Sequence, residues 1–177
     1  MIGRPHVLTF TTYQRHPFLR SERVCSWLVE SIEVAKCRWS FDLWAYVFMP
    51  EHVHLIVRPM KTESTIAAIL KGIKQPVGRR AFLYLESISS PWLRKLVRVR
   101  NGHPERLFWQ SGGGFDRNID GARGLAAAIR YLHQNPIRRN LVSREADWRW
   151  SSAGWFEDAP VNGLMPDRVP PEWGEVE

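Results

Sequence analysis

Phe41-Asp42-Leu43-Trp44-Ala45-Tyr46-Val47-Phe48-Met49-Pro50-Glu51-His52-Val53-His54-Leu55-Ile56-Val57-Arg58 is the stretch that decides how this chain folds. Residues 41–48 form a nearly continuous apolar and aromatic run, the pattern of a strand covered on both faces, and Met49-Pro50-Glu51 turns the chain. Residues 52–58 read as a second strand. Side chains alternate along a strand, so Val53, Leu55 and Val57 point toward a core while His52 and His54 share the opposite face.

Working outward, residues 6–12 are rich in β-branched and aromatic types and read as a first strand. A helix follows over residues 21–37, with Ser21 as N-cap and Val24, Trp27, Leu28, Ser31, Ile32 and Ala35 as its inner stripe. A second helix starts at Ser64 and buries Ile66, Ile69, Leu70 and Ile73, and Pro76 is expected to kink or interrupt it. Residues 86–104 read as an inserted, basic, irregular stretch. Residues 107–110 read as a short strand broken by Gly112-Gly113-Gly114, and residues 125–134 as a third helix that Pro136 stops. The order β-α-β-β-α-β-α predicts an α+β fold of split β-α-β, ferredoxin-like or RRM-like type: an antiparallel sheet with helices on one face and an extra C-terminal helix. Residues 1–156 form one domain in this reading. Residues 157–177, rich in Pro, Asp, Glu and Gly, are expected to be a loosely ordered acidic tail.

The chain has 177 residues, 44% hydrophobic and 24% charged, which excludes a disulfide-stapled mini-protein, a collagen-like chain and a wholly disordered one. No apolar run approaches the roughly 18 residues of a membrane span, and the first 20 residues lack the apolar stretch of a signal peptide. A soluble, cytoplasmic protein with no membrane partner is therefore expected. Cys25 and Cys37 fall on one helix about 18 Å apart, too far for a disulfide. The net charge of +7 is concentrated. Between residues 71 and 106 stand nine basic residues (Lys71, Lys74, Arg79, Arg80, Arg94, Lys95, Arg98, Arg100, Arg106) and two acidic ones (Glu86, Glu105). That window is read as a phosphate-tracking surface in preference to a solvated helix face, with Trp92 as the aromatic that stacks on an unpaired base.

Two pairs of residues carry chemistry by their spacing. His52 and His54, at i and i+2 on a strand, have Cβ atoms roughly 7 Å apart on one face and can converge on one ion; they can equally be two satisfied surface histidines. Imidazoles alone favour zinc or manganese over magnesium, which prefers oxygen ligands. Tyr131 and Asn135, at i and i+4 on a helix, lie about 6 Å apart on one face. A phenol and a carboxamide are thereby presented together, although Tyr131 can also be a core aromatic and Asn135 a helix cap. The Gly112-Gly113-Gly114 run reads as a hinge, a close approach to a ligand, or a bulge.

Taken together, Met49-Pro50-Glu51-His52-Val53-His54-Leu55, Phe108-Trp109-Gln110, Gly113-Gly114-Phe115-Asp116-Arg117-Asn118, Tyr131-Leu132-His133-Gln134-Asn135-Pro136 and Trp148-Arg149-Trp150-Ser151-Ser152 resemble the REP-associated tyrosine transposases. These are single-tyrosine HUH endonucleases related to the insertion-sequence-200-like transposases. The resemblance spans about residues 5–155. It implies that His52, His54 and Asn135 are metal ligands for Mg²⁺ or Mn²⁺ and that Tyr131, on the extra C-terminal helix, is the nucleophile. It further implies that the partner is single-stranded DNA with an adjacent hairpin of the repeated extragenic palindrome type, cut through a 5′-phosphotyrosine intermediate and rejoined. A monomer is favoured, with a dimer open. Two other readings stand beside it: a non-catalytic single-stranded DNA or RNA binding module on the same fold, and a protein that processes hairpins without mobilising DNA.

Overall fold

A computed structural model describes residues 3–157 and 163–174. Its centre is a four-stranded antiparallel sheet of order β2-β3-β1-β6, built from β1 (His6–Thr11), β2 (Phe41–Met49), β3 (His52–Pro59) and β6 (Phe115–Asn118). The quoted stretch is the β2–β3 hairpin. Every residue of β2 except Asp42 is buried, as its unbroken apolar run predicts. Its register against β3 shifts between Leu43 and Ala45, so an extra residue, Trp44, changes which face the strand presents. Leu43, Tyr46 and Phe48 then join one apolar layer, and Trp44, Ala45, Val47 and Met49 the other.

Helices α1 (Glu22–Trp39) and α2 (Ile66–Ser87) pack together over the first face, against Leu8, Phe10, Val53, Leu55 and Val57. The additional helix, α4 (Gly121–His133), covers the opposite face, setting Leu125, Ala128 and Leu132 against Trp44, Val47 and Ile56. Strand β3 is thus amphipathic in the sense its alternation predicts. Val53, Leu55 and Val57 lie under α1 and α2, and His52, His54 and Ile56 lie on the α4 side.

Pro76 does not interrupt α2. Ile69, Ile73, Val77 and Ala81 are buried on both sides of it, so tertiary packing carries the helix across the missing hydrogen bond. Residues 86–104 are not irregular either. After α2 they form a single turn, α3 (Trp92–Lys95), and a hairpin of β4 (Val97–Arg100) with β5 (His103–Arg106). Asn101 and Gly102 both have positive φ at its tip, which is the demand of a type I′ turn.

The expected strand at residues 107–110 is absent. Trp109 makes one bridge to Thr12, the Gln110 N–H donates to the Thr11 carbonyl and the Tyr13 N–H donates to the Phe108 carbonyl, so this segment is stitched to the end of β1 without forming a strand. The fourth strand comes after the glycines, as β6, a polar and exposed sheet edge. Gly114 makes that edge possible: its φ is +80°, and a Cβ there would meet the Thr9 carbonyl oxygen at 2.1 Å.

The described part of the acidic tail, residues 163–174, is packed, contrary to expectation. Leu164 is buried, Asp167 accepts from the Leu43 N–H at 2.7 Å and pairs with Lys36, and Trp173 in the helical turn Pro171–Gly174 meets Trp44. The rest of that expectation, residues 158–162 and 175–177, lies outside the described residues. Cys25 is buried and Cys37 exposed, both as free thiols. Among the described residues no helix is long and apolar enough to cross a membrane.

Candidate active site

His52 and His54 sit side by side on β3, ring centroids 4.7 Å apart and nearly perpendicular, each less than a tenth exposed. Their Nδ1 atoms are engaged. That of His54 lies 2.7 Å from the Thr9 hydroxyl, directly opposite on β1, and that of His52 lies 3.1 Å from Glu51 Oε1. Neither Nε2 has a hydrogen-bond partner among the described residues. Burial pushes the His54 imidazolium down to about 4, helped by His52 beside it. Burial also lowers His52, against the opposing pull of Glu51. Both rings are therefore neutral at neutral pH, the state in which imidazole is a ligand.

Across the α4 face, Tyr131 and Asn135 occupy the last turn of α4 and the first residue of α5 (Asn135–Arg138). The Asn135 amide donates to the carbonyls of Tyr131 and Leu132 at 3.0 and 3.1 Å, so it caps the helix end with its nitrogen and leaves Oδ1 to accept or to ligate. The cap and the ligand readings of Asn135 are thus compatible. Tyr131 is 53% exposed, which excludes a core role; its hydroxyl has no hydrogen-bond partner among the described residues, and the Arg138 guanidinium lies 4.7 Å from its ring centre.

Glu51, taken in the sequence as part of a turn, is a hub. Its buried Oε1 accepts from Arg15 and from Arg139, each at 2.9 Å, and faces His52 Nδ1. Burial raises its carboxyl, but the Arg139 and Arg15 hydrogen bonds and the charges around it outweigh that and hold it below the usual carboxylate range. Nothing local marks this role, because both arginines are distant in sequence.

No group of three or more His, Cys, Asp or Glu able to hold an ion exists among the described residues. The imidazole nitrogens of His52 and His54 are paired on β3; joined by the Asn135 amide oxygen from the turn after α4, they would make a nitrogen–oxygen donor set open to added phosphate or water oxygens. That mixture fits Mn²⁺ well and Mg²⁺ less well, and it lacks the thiolates and closed tetrahedron of a structural zinc site.

The basic window divides. Arg80 pairs with Glu30, Arg98 with Glu105 and Arg106 with Glu86. Lys71, Lys74 and Arg79 line a groove of about 770 Å³ between α2 and residues 106–113, floored by Phe82, Phe108 and Trp109. Lys74 is tethered there, donating to the Gly112 carbonyl at 2.9 Å, and burial lowers its ammonium. Arg94 and Arg100 are exposed beside and on the β4–β5 hairpin. Trp92 is not an open stacking platform: it is half-buried edge-on against His16 and Phe18, with the Lys95 ammonium 4.6 Å from its ring centre.

Residues 4–134 match the family described as "Transposase IS200 like". The chain belongs to the IS200-like transposase family. The fold agrees: a REP-associated tyrosine transposase, solved bound to a REP hairpin, superposes with a TM-score of 0.66 over 100% of this chain and 94% of that one, at 17% identity. A protein of Deinococcus radiodurans R1, provisionally assigned as a transposase, matches at TM-score 0.47 and 19% identity over 77% of this chain and 89% of its own. No curated protein matches the chain. The matched region of this IS200-like chain contains His52, His54 and Tyr131 and stops one residue before Asn135.

Proposed function

We propose that this transposase-family protein cleaves and rejoins single-stranded DNA at or near hairpin repeats, with Tyr131 as nucleophile and a divalent cation, Mn²⁺ or Mg²⁺, held by His52, His54 and Asn135. The observation that carries the reading is the pair of buried neutral imidazoles whose Nε2 atoms are free, on the sheet face covered by α4, whose last turn carries Tyr131 and is followed by Asn135.

A tyrosine hydroxyl, with an ordinary pKa near 10, is a weak nucleophile at neutral pH. The bound cation would draw charge from the phosphate and stabilise the transition state by several kcal/mol. Tyr131 Oη releases its proton to solvent and forms the new bond to phosphorus, the P–O3′ bond breaks, the 3′ oxygen of the neighbouring nucleotide leaves as a hydroxyl with a proton taken from solvent, and the 5′ end stays on the enzyme as a phosphotyrosine. Attack of a 3′-hydroxyl on that link reverses the step and joins strands, with no nucleotide cofactor consumed. The Arg138 guanidinium, 4.7 Å from the Tyr131 ring centre, would offer positive charge to a phosphate brought to Tyr131. The Glu51 hydrogen bond holds the His52 ring in place, and Asn135 keeps its oxygen free by donating with its nitrogen.

For the DNA path, Lys71, Lys74 and Arg79 in the α2 groove are the proposed phosphate contacts, followed by Arg94, Lys95 and Arg100; Arg80 and Arg98 contribute only by giving up their carboxylate partners. The proposed path runs from this groove along the end of β1 toward His52. Gln110, at its end, is bonded to Thr11, which lies opposite His52 in the sheet. The hairpin substrate is supported by the REP hairpin bound to the structural neighbour. A cytoplasmic monomer is the proposed working form.

Labelled hairpin oligonucleotides from around the gene, incubated with Mn²⁺, with Mg²⁺ or with chelator, should give a covalent protein–DNA band on a denaturing gel only with metal. Tight binding with no band on any oligonucleotide, metal being shown to bind, would favour the non-catalytic binding module.

A further inference from the structure

We infer that Glu51 is the positioning residue of this site: one buried carboxylate oxygen sets the tautomer of His52 and, through Arg139, docks the Tyr131–Asn135 turn onto the histidine strand. The inference rests on the function proposed above.

Three donors from three parts of the chain converge on Oε1. Arg15 follows β1, His52 begins β3, and Arg139 follows α5. The carboxylate is almost fully buried, whereas the Arg15 and Arg139 side chains are about half exposed, 60% and 48%. Such a pair adds little stability, because burying the carboxylate costs about what the arginines return. What it fixes is geometry. The Glu51 backbone is pinned as well, its carbonyl accepting from the Thr12 N–H at 3.0 Å, so the hub does not swing as a unit.

The two histidines differ in how their protons are placed. A threonine hydroxyl can donate or accept, so Thr9 leaves either tautomer open to His54. An ionised carboxylate can only accept, so Glu51 requires the proton on Nδ1 of His52 and leaves the Nε2 lone pair free. The same oxygen reaches Arg139, four residues beyond Asn135 and eight beyond Tyr131, at the end of a helix only one turn long. A turn so short has little rigidity of its own, and this bond ties it to the residue next to His52.

The test separates the two halves. In metal-free protein, ¹⁵N-histidine NMR should show His52 as the Nδ1–H tautomer, and Glu51→Gln, which can also donate, should convert it to a mixture. Mn²⁺ affinity read by EPR should fall about 10–100-fold in Glu51→Gln, with hairpin binding unchanged. Arg139→Ala, at a half-exposed side chain, should leave the His52 tautomer as in the wild type and slow adduct formation by about 10-fold or more, with Arg139→Lys restoring part of the rate. Wild-type tautomer and Mn²⁺ affinity in Glu51→Gln overturn the first half; a wild-type adduct rate in Arg139→Ala overturns the second, and decides alone if Glu51→Gln does not fold. Undiminished Mn²⁺ binding in a His52→Ala/His54→Ala double variant would instead overturn the metal site itself.

Discussion

On one face of β3, Val53, Leu55 and Val57 are sealed beneath α1 and α2; on the other, a single residue away each time, His52 and His54 lie on the side of α4. The first face is held mainly by apolar bulk, with few side-chain bonds such as the Trp109 indole to the Lys74 carbonyl. The second combines an apolar layer under α4 with polar contacts that span the chain: Thr9 to His54, Glu51 to Arg139, His133 to Ser152, and the Trp148 indole to the Phe48 carbonyl. The contrast teaches that stability and chemistry are separable at neighbouring positions of one strand, because the pleat sends them to different layers.

The sharpest way to break that comparison is to exchange the consequences of adjacent substitutions. His54→Ala should lower the adduct-forming rate about 100-fold or more while costing about 1 kcal/mol of stability, the worth of one hydrogen bond. Leu55→Ala should cost about 2–5 kcal/mol, read in urea unfolding, and leave adduct formation intact at temperatures where the protein stays folded. If both variants lose stability and activity together, the two faces are not separable.

The glycine run sharpens the comparison at the neighbouring strand. Gly114→Ala should destabilise by about 1–3 kcal/mol or more, because its positive φ and the Thr9 carbonyl both oppose a Cβ and Thr9 holds His54. Gly113→Ala, with no atom within 4 Å of its added Cβ, should not change stability. Weakened hairpin binding in Gly113→Ala would identify that glycine as a close approach to DNA.

A further effect is in pH. Burial holds His133, hydrogen-bonded to the Ser152 hydroxyl, down to about 4, whereas an unfolded histidine titrates near 6.5. Between those values the unfolded chain binds more protons, so stability falls as pH drops from about 6.5 toward 4, by up to about 1.4 kcal/mol per pH unit for this one group. His133→Gln should flatten the slope of urea midpoint against pH over that window; an unchanged slope contradicts the assignment.

Sequence patterns revealed the parts of this molecule that are periodic or short-range. The alternation of residues 52–57 placed the histidines on the correct face, and the i, i+4 spacing of Tyr131 and Asn135 put them at one helix end. The fourth strand escaped because Phe115-Asp116-Arg117-Asn118 is polar and exposed, with no alternation to read. The β4–β5 hairpin was readable: Val97-Arg98-Val99-Arg100 alternates and ends in Asn101-Gly102, a signal obscured by the density of charge. Pro76 misled because a local rule was overridden by core packing on both sides of it. Thr9, Arg15 and Arg139 could not be read at all, since each becomes part of the site only when the sheet and α5 bring it to His54 or Glu51.

The central claim is that Tyr131 attacks DNA phosphorus from the helix that covers the histidine face. Wild-type and Tyr131→Phe proteins should be incubated with the same hairpin oligonucleotide and Mn²⁺, and the covalent product digested and mapped by mass spectrometry. The account predicts DNA attached to the peptide containing Tyr131 in the wild type, and no adduct in Tyr131→Phe although it still binds the hairpin. An adduct that persists in Tyr131→Phe, or maps to another residue, would contradict it.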